Sequence, residues 1–335
     1  MLGVGVIGYG YWGPNLVRNF FADTGSKVLA VCDRSPERLA EVGRLYPGVA
    51  TTTDPAELFR NPQIDAVAIA TPVATHFQLA MDALRAGKHV LVEKPIASTS
   101  SEAAQMIDEA ARRDLVLLVD HTFVFTGAVN KIREVMRDES FGRLQYYDST
   151  RVNLGLFQHD VNVMWDLAVH DLSIMAYVME SHPVGVSATG LSHVPNQPAN
   201  LAFLTCFFAD NIIAHINVNW LSPVKIRRTL VGGSKRMIVY DDLETSEKVK
   251  IYDKGITVTE TPDDIRKLLI SYRTGDLWSP KVNETEALRL EATHFRKCIE
   301  KKEKPITPGE AGLAIVKLLE AADESMKRRG EAITI

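Results

Sequence analysis

The feature that most constrains this chain is Gly8-Tyr9-Gly10-Tyr11-Trp12-Gly13, set between the apolar run Gly3–Ile7 and a helix-like segment, Gly13–Ala22. Three glycines at this spacing, leaving a strand and opening a helix, suit one backbone geometry. Gly8 permits the tight turn, Gly10 lets a pyrophosphate approach the backbone, and Gly13 lets helix and strand pack closely. The free N–H groups and positive dipole of the helix start favour phosphate. Tyr11 and Trp12, inside the turn, are candidate cofactor contacts. Asp33 follows Gly8 by 25 residues, after a second apolar run, Lys27–Cys32. A carboxylate there can accept hydrogen bonds from adenosine ribose hydroxyls and repel a 2′-phosphate. The adjacent Arg34 could instead accept that phosphate or stack on adenine. The acidic residue favours NAD, with NADP the alternative.

The first third alternates apolar runs with helical spacing. Asp65–Ala70, His89–Val92 and Leu115–Val119 read as strands; Pro36–Tyr46, Ala74–Ala86 and Ser100–Arg113 read as helices. That alternation predicts a parallel sheet covered on both faces. Beyond residue 120 the pattern changes. Helices are expected at Gly127–Asp138 and Asp166–Met179, then again at Glu284–Lys301 and Gly309–Arg328. Between them strands follow one another: Leu144–Asn153, Gly185–Leu191, Leu201–Phe208, Ile212–Trp220, Arg227–Val231, Met237–Tyr240 and Lys248–Tyr252. Consecutive strands imply an antiparallel sheet. The expected architecture is α/β, with a Rossmann dinucleotide-binding domain over 1–120 and a second α/β domain over 121–335.

Composition narrows the function. The chain has 335 residues, a length that suits two domains. Lys and Arg number 38 against 42 Asp and Glu, a net charge of −4 that argues against nucleic-acid binding. No apolar run approaches a membrane span, and no basic leader precedes the first strand, so a cytoplasmic protein is expected. Cys32, Cys206 and Cys298 are far apart, form no CxxC pair, and read as buried, reduced thiols. The histidines show no ligand spacing, so no metal is expected.

Glu93-Lys94-Pro95 follows the strand His89–Val92, and Asp166-Leu167-Ala168-Val169-His170 lies on a predicted helix. With the glycine turn, and with Ala70-Thr71-Pro72 ahead of Thr75-His76, these motifs resemble the Gfo/Idh/MocA family of sugar and cyclitol oxidoreductases, over essentially the whole chain. The resemblance implies a Rossmann domain followed by an α/β domain with a large open, mostly antiparallel sheet. It implies that Thr71, Pro72, His76, Glu93 and Lys94 line the cofactor, and that Pro95 holds the Lys94 backbone. It also implies that Lys94, Asp166 and His170 are catalytic.

The chemistry fits those residue types. Oxidising an alcohol removes a hydride from carbon and a proton from oxygen. A histidine titrates near neutrality and suits the role of base. Asp166 and His170, four apart on a helix, share a face. An ammonium from Lys94 can stabilise developing alkoxide charge. His121 and His159 are weaker candidates for the site.

The stretch from Arg151 to Asn162 is similar to family branches acting on nucleotide-linked sugars, the UDP-N-acetylglucosamine-type 3-dehydrogenases among them. Arg151, Asn153, Gln158 and Asn162 are candidate contacts to sugar hydroxyls. Lys225 and Arg227 alternate onto one face if extended and could pair with a diphosphate, while Trp220 could stack on a base. A UDP-linked amino sugar is therefore the expected substrate. The alternatives are a free sugar, inositol or anhydro sugar, or a catalytically silent dinucleotide-binding regulator. An apolar sheet face around Phe203, Phe207, Ile212 and Ile216 suggests a homodimer or homotetramer.

Overall fold

The computed structural model describes residues 1–155, 161–258, 270–301 and 303–335. The chain forms two compact units, Met1–Phe125 with Thr285–Glu320, and Thr126–Glu284 with Ala321–Ile335.

The first unit is built on six parallel strands: β1 (Leu2–Ile7), β2 (Ser26–Cys32), β3 (Ala50–Thr52), β4 (Ala66–Ile69), β5 (His89–Glu93) and β6 (Leu117–Asp120). Their order is β3-β2-β1-β4-β5-β6, with every pair parallel. Order reverses between β1 and β4, the crevice where open α/β sheets bind ligands beyond the carboxyl ends of their strands. Every residue of β1 and β4 is buried, as a strand covered on both faces requires. The helices are α1 (Gly13–Ala22), α2 (Pro36–Leu45), α3 (Pro55–Arg60), α4 (His76–Arg85) and α5 (Ser100–Arg112). Caps define their starts: Ser35 accepts from the Arg38 N–H, Asp54 from the Ala56 N–H, and Thr99 with Glu102 forms a capping box.

The first compact unit extends past the expected division at residue 120, to Phe125, and includes Thr285–Glu320. The reason is packing: the Ala287–Ile299 helix buries Leu288, Ala292 and Phe295 in the same core as Phe20 of α1. The Phe20 and Phe295 rings meet edge-on with centroids 6.3 Å apart.

The second unit carries α6 (Gly127–Arg137), α7 (Val169–Met179) and a nine-stranded sheet. Its strands are β7 (Leu144–Leu154), β8 (Gly185–Leu191), β9 (Leu201–Phe207), β10 (Ile213–Asn219), β11 (Leu221–Gly233), β12 (Met237–Asp241) and β13 (Val249–Tyr252). A separate hairpin pairs β14 (Gly255–Val258) with β15 (Ile270–Arg273), and β16 (Leu277–Trp278) and β17 (Ile333–Thr334) close the edges of the large sheet. Its order is β16-β13-β12-β11-β7-β10-β9-β8-β17. All neighbours are antiparallel except β7 and β10. The mostly antiparallel sheet is as expected. Ala202, Leu204 and Cys206 of β9 and Ala214, Ile216 and Val218 of β10 point into the core, while Phe203, Phe207 and Ile213 stay exposed on the other face.

The three thiols are free and buried. Burial pushes Cys206 up to about 12 and Cys32 and Cys298 up to about 11, so all three stay protonated near neutrality. Among the described residues, no helix is long and apolar enough to cross a membrane, and no group of three or more His, Cys, Asp and Glu side chains is arranged to hold a metal ion.

Candidate functional site

The glycine turn has the geometry its sequence implies. Gly8 sits at φ +95°, and a Cβ there would meet the Ala70 carbonyl oxygen at 2.6 Å. A Cβ on Gly13 would fall 2.0 Å from the Gly8 carbonyl oxygen, so helix α1 lies directly against the turn. Space above Gly10 is open, its nearest neighbour being an Arg38 nitrogen at 3.6 Å from a built Cβ. Helix α1 carries no acidic residue in its first turn and Pro14 near its start, which leaves its positive end for an anion. Tyr11 is 90% exposed. Trp12 lies at the helix cap and donates from Nε1 to Asp120 Oδ2 at 2.7 Å.

Asp33 stands at the end of β2 and organises the turn. Its carboxylate accepts from the Tyr9 N–H at 2.6 Å and the Ser35 N–H at 2.8 Å. Arg38 of α2 approaches the same group at 3.5 Å. Burial opposes the charge, but the two N–H donors and the guanidinium outweigh it and hold Asp33 below the usual carboxylate range. Arg38 escaped the sequence reading, which singled out Arg34; Arg34 is exposed. The cradle, the open approach at Gly10 and an ionised Asp33 fit a dinucleotide with free ribose hydroxyls.

Thr71 and Pro72 follow β4 beside this turn. Thr75 Oγ1 hydrogen-bonds Thr71 Oγ1 at 2.7 Å and the Pro72 carbonyl at 2.8 Å. His76 does not line a cofactor surface as expected. It is 1% exposed, with Nδ1 2.9 Å from the Pro95 carbonyl and Nε2 2.8 Å from the Thr71 carbonyl. Both ring nitrogens are thus engaged by backbone, and the imidazole ties the loop after β4 to the loop after β5.

Glu93 and Lys94 emerge at the carboxyl end of β5, and the Lys94–Pro95 peptide bond is cis. The Lys94 N–H donates to Glu93 Oε2 at 2.8 Å. His121 is 1% exposed beyond β6, and burial, with the Lys94 charge adding to it, pushes His121 down to about 3, so it is neutral.

Asp166 and His170 belong to the second unit. Helix α7 is preceded by a π-helical turn, Met164–Ala168, where a regular α-helix was expected. Asn162 caps this turn, accepting the Met164 N–H at 3.0 Å, and its amide donates to Asp323 at 2.7 Å. Trp165 Nε1 also reaches Asp323, at 2.8 Å. The Asn162 side chain, first read as a contact to sugar hydroxyls, is engaged as a cap. Asp166 accepts the indole N–H of Trp220 at 3.0 Å. Asp166 and His170 are both partly exposed, and the carbonyl of His170 accepts the Ser173 hydroxyl at 2.7 Å. A π turn widens the spacing of backbone groups, a device common at functional sites.

Three expected substrate contacts are corrected. Arg151 is 3% exposed and pairs with Asp171 of α7, Nε to Oδ2 at 2.7 Å, beside Ser149 and Thr229. Its guanidinium neutralises a buried carboxylate instead of meeting a sugar. Trp220 is 1% exposed and holds Asp166, so it cannot stack on a base. The pairing of β11 with β7 shifts register between Leu221 and Ile226, so Lys225 precedes the regular ladder in which Arg227 stands opposite Arg151. Arg227 pairs with Asp242 at 3.2 Å, while Lys225 is exposed. Asn153 is half-buried on β7. Gln158 and His159 lie outside the described residues.

Comparison with known proteins shows the family. Residues 2–121 match the model of an oxidoreductase family with an NAD-binding Rossmann fold, and residues 129–239 match the Gfo/Idh/MocA C-terminal domain. A UDP-N-acetylglucosamine 3-dehydrogenase of Acidithiobacillus ferrooxidans is 30% identical over 75% of this chain and 77% of its own. A solved structure of UDP-N-acetylglucosamine 3-dehydrogenase from that organism superposes with a TM-score of 0.82, at 25% identity, covering 98% of each chain. A myo-inositol 2-dehydrogenase of Thermotoga maritima is 26% identical over 56% of this chain and 58% of its own. The chain belongs to the Gfo/Idh/MocA family of NAD-dependent oxidoreductases acting on CH–OH groups.

Proposed function

We propose that this protein oxidises a ring secondary alcohol of a UDP-linked amino sugar. The observation that carries the reading is the 30% identity to a UDP-N-acetylglucosamine 3-dehydrogenase across three quarters of each chain. NAD, held by the Gly8–Gly13 turn and Asp33, supplies the hydride acceptor when bound. His170 takes the hydroxyl proton as general base. Asp166, oriented by the Trp220 indole, positions substrate or His170. Lys94 stabilises the negative charge that develops on the reacting oxygen.

The test is nicotinamide absorbance during turnover of paired panels: UDP-sugars, including the N-acetylglucosamine and its uronic acid, against free sugars and inositols. Lys94→Ala serves as control. Oxidation confined to a UDP-sugar and lost in the variant supports the reading; oxidation confined to the free compounds overturns it. A second reading, dehydrogenation of a free sugar or cyclitol, is favoured by one observation. Arg227 and Trp220, first assigned to a nucleotide moiety, have internal partners.

The exposed row of Phe203, Phe207 and Ile213 supports a homodimer or homotetramer built on the open sheet face. A monomer by light scattering at micromolar concentration would contradict it.

A further inference from the structure

One group of side chains in the first unit has no part in that chemistry. Glu93 ends β5, and Asp120 ends β6 directly opposite it in the parallel register. Glu291 joins them from the Ala287–Ile299 helix, which packs against the Thr122–Phe125 turn that follows β6. Asp120 is 1% and Glu291 0% exposed. Asp120 is supplied with donors, Trp12 Nε1 at 2.7 Å and the Thr122 hydroxyl. Glu93 accepts the Lys94 N–H at 2.8 Å. Glu291 differs: both its oxygens are buried and make no hydrogen bond of good geometry among the described residues, the nearby Thr122 hydroxyl being directed at Asp120. What it faces is the carboxyl of Asp120, with Glu93 also near.

Two ionised carboxylates offer each other only lone pairs, and neither gains a hydrogen bond until one carries a proton. Burying a charge without a partner is strongly unfavourable, so such a group neutralises instead. Burial and the repulsion of Asp120 hold Glu93 and Glu291 well above the usual carboxyl range, and the charge of Glu93 adds to the rise at Glu291. Among the described residues the cation facing Glu93 is Lys94, and the neighbouring His121 is neutral. A single ammonium does not balance three ionised carboxylates.

The place of the group gives the proton a consequence. Asp33 at the end of β2 marks the adenosine side of the crevice. The carboxyl ends of β4, β5 and β6 lie across the switch point and take the other half of a dinucleotide. Trp12 links Asp120 to the glycine turn itself. We propose that Glu93, Asp120 and Glu291 hold a shared proton beneath the nicotinamide half of the cofactor, released to solvent when the positively charged NAD⁺ binds and retained when neutral NADH binds. The group thereby sets the preference between the two oxidation states and makes it depend on pH. No bond of cofactor or substrate is made or broken in this exchange.

Titration calorimetry of the full chain in buffers of different ionisation enthalpy counts the protons moved on binding. The expected result is release with NAD⁺ and none with NADH. Where one full proton is released, NAD⁺ affinity rises about tenfold per pH unit. Glu291→Gln replaces the acid with a neutral amide of the same shape, and NAD⁺ affinity should then be flat with pH. Equal proton counts for the two oxidation states, or release that persists in Glu291→Gln, overturn the proposal. Infrared spectroscopy of the unsubstituted chain is independent of the variant's folding. A protonated carboxylic-acid band should be present at neutral pH and weaken on adding NAD⁺ but not NADH; an unchanged spectrum is equally fatal. Neither measurement uses a sugar, so failure of the UDP-sugar reading leaves both intact.

Discussion

The indole N–H of Trp220 donates to the carboxylate of Asp166 at 3.0 Å. Trp220 lies between β10 and β11, and its ring is fully buried, so Asp166 is held from the sheet as well as from its own helix. A hydrogen bond to a charged group contributes about 1.5–3 kcal/mol. Trp220→Phe keeps the apolar ring and removes the donor. Turnover of the oxidised sugar should fall about tenfold, corresponding to about 1.4 kcal/mol, with NAD affinity unchanged by titration. Unchanged turnover would show that the indole merely fills space.

His170→Ala tests the base. Removing a positioned general base costs roughly 10²–10⁴-fold in rate. NAD is held by the glycine turn and Asp33, which the substitution leaves intact, so NAD binding should survive the change. The informative pair of numbers is kcat for the sugar and Kd for NAD. A kcat within twofold of the parent (about 0.4 kcal/mol by the same conversion) removes His170 from the proton transfer.

Gly8→Ala tests the turn. The added methyl meets the Ala70 carbonyl at 2.6 Å in a backbone of φ +95°. A non-glycine residue there costs about 1–2 kcal/mol from conformation alone, and the clash adds to it. Expressed in the binding loop, that corresponds to about tenfold weaker NAD binding or more. Fluorescence titration with NADH measures it, and thermal melting separates loss of binding from loss of fold.

Asp33 ties stability to pH. Its carboxyl is held below the ordinary range in the folded chain, so its contribution is complete above the unfolded value of about 3.9 and is lost as pH falls through the folded value. Denaturant titrations between about pH 3 and pH 7 should show the parent losing stability on the acid side. Asp33→Asn, which cannot ionise, should be less stable at neutral pH and lose less on acidification. Parallel curves for the two proteins would contradict the assignment.

What was legible in the sequence was local. Gly8, Gly13 and Asp33 lie within one strand–turn–helix–strand segment, and their spacing alone carries their roles. The antiparallel character of the second sheet was legible from consecutive strands, but the parallel pairing of β7 with β10 was not, because it joins segments some sixty residues apart. Trp220 looked like a stacking residue because its partner, Asp166, is 54 residues away. Likewise Glu291, inside the expected helix Glu284–Lys301, meets Asp120 only through the return of the Ala287–Ile299 helix to the first core. Arg38 was hidden for a simpler reason: on α2 it is, like Arg44, an exposed basic position, and only the fold turns it toward Asp33.

Arg151 and Asp171 make the same point energetically. Strand alternation puts Tyr147, Ser149 and Arg151 on one face of β7, and that face is the buried one, packed against α7. Asp171 accepts from Arg151 Nε at 2.7 Å and from the Ser149 hydroxyl at 2.7 Å, so the carboxylate is satisfied from two positions on one strand. Removing one member of a buried pair leaves the other charged and uncompensated, a loss of about 3–5 kcal/mol. Arg151→Met should therefore lower the unfolding free energy by that order. Arg151→Met with Asp171→Leu should recover a large part of it, because an apolar pair of similar volume avoids the desolvation cost. If Arg151 instead contacted sugar, the single variant would raise KM with stability intact. Denaturant melts and steady-state kinetics on the same two variants decide between these outcomes.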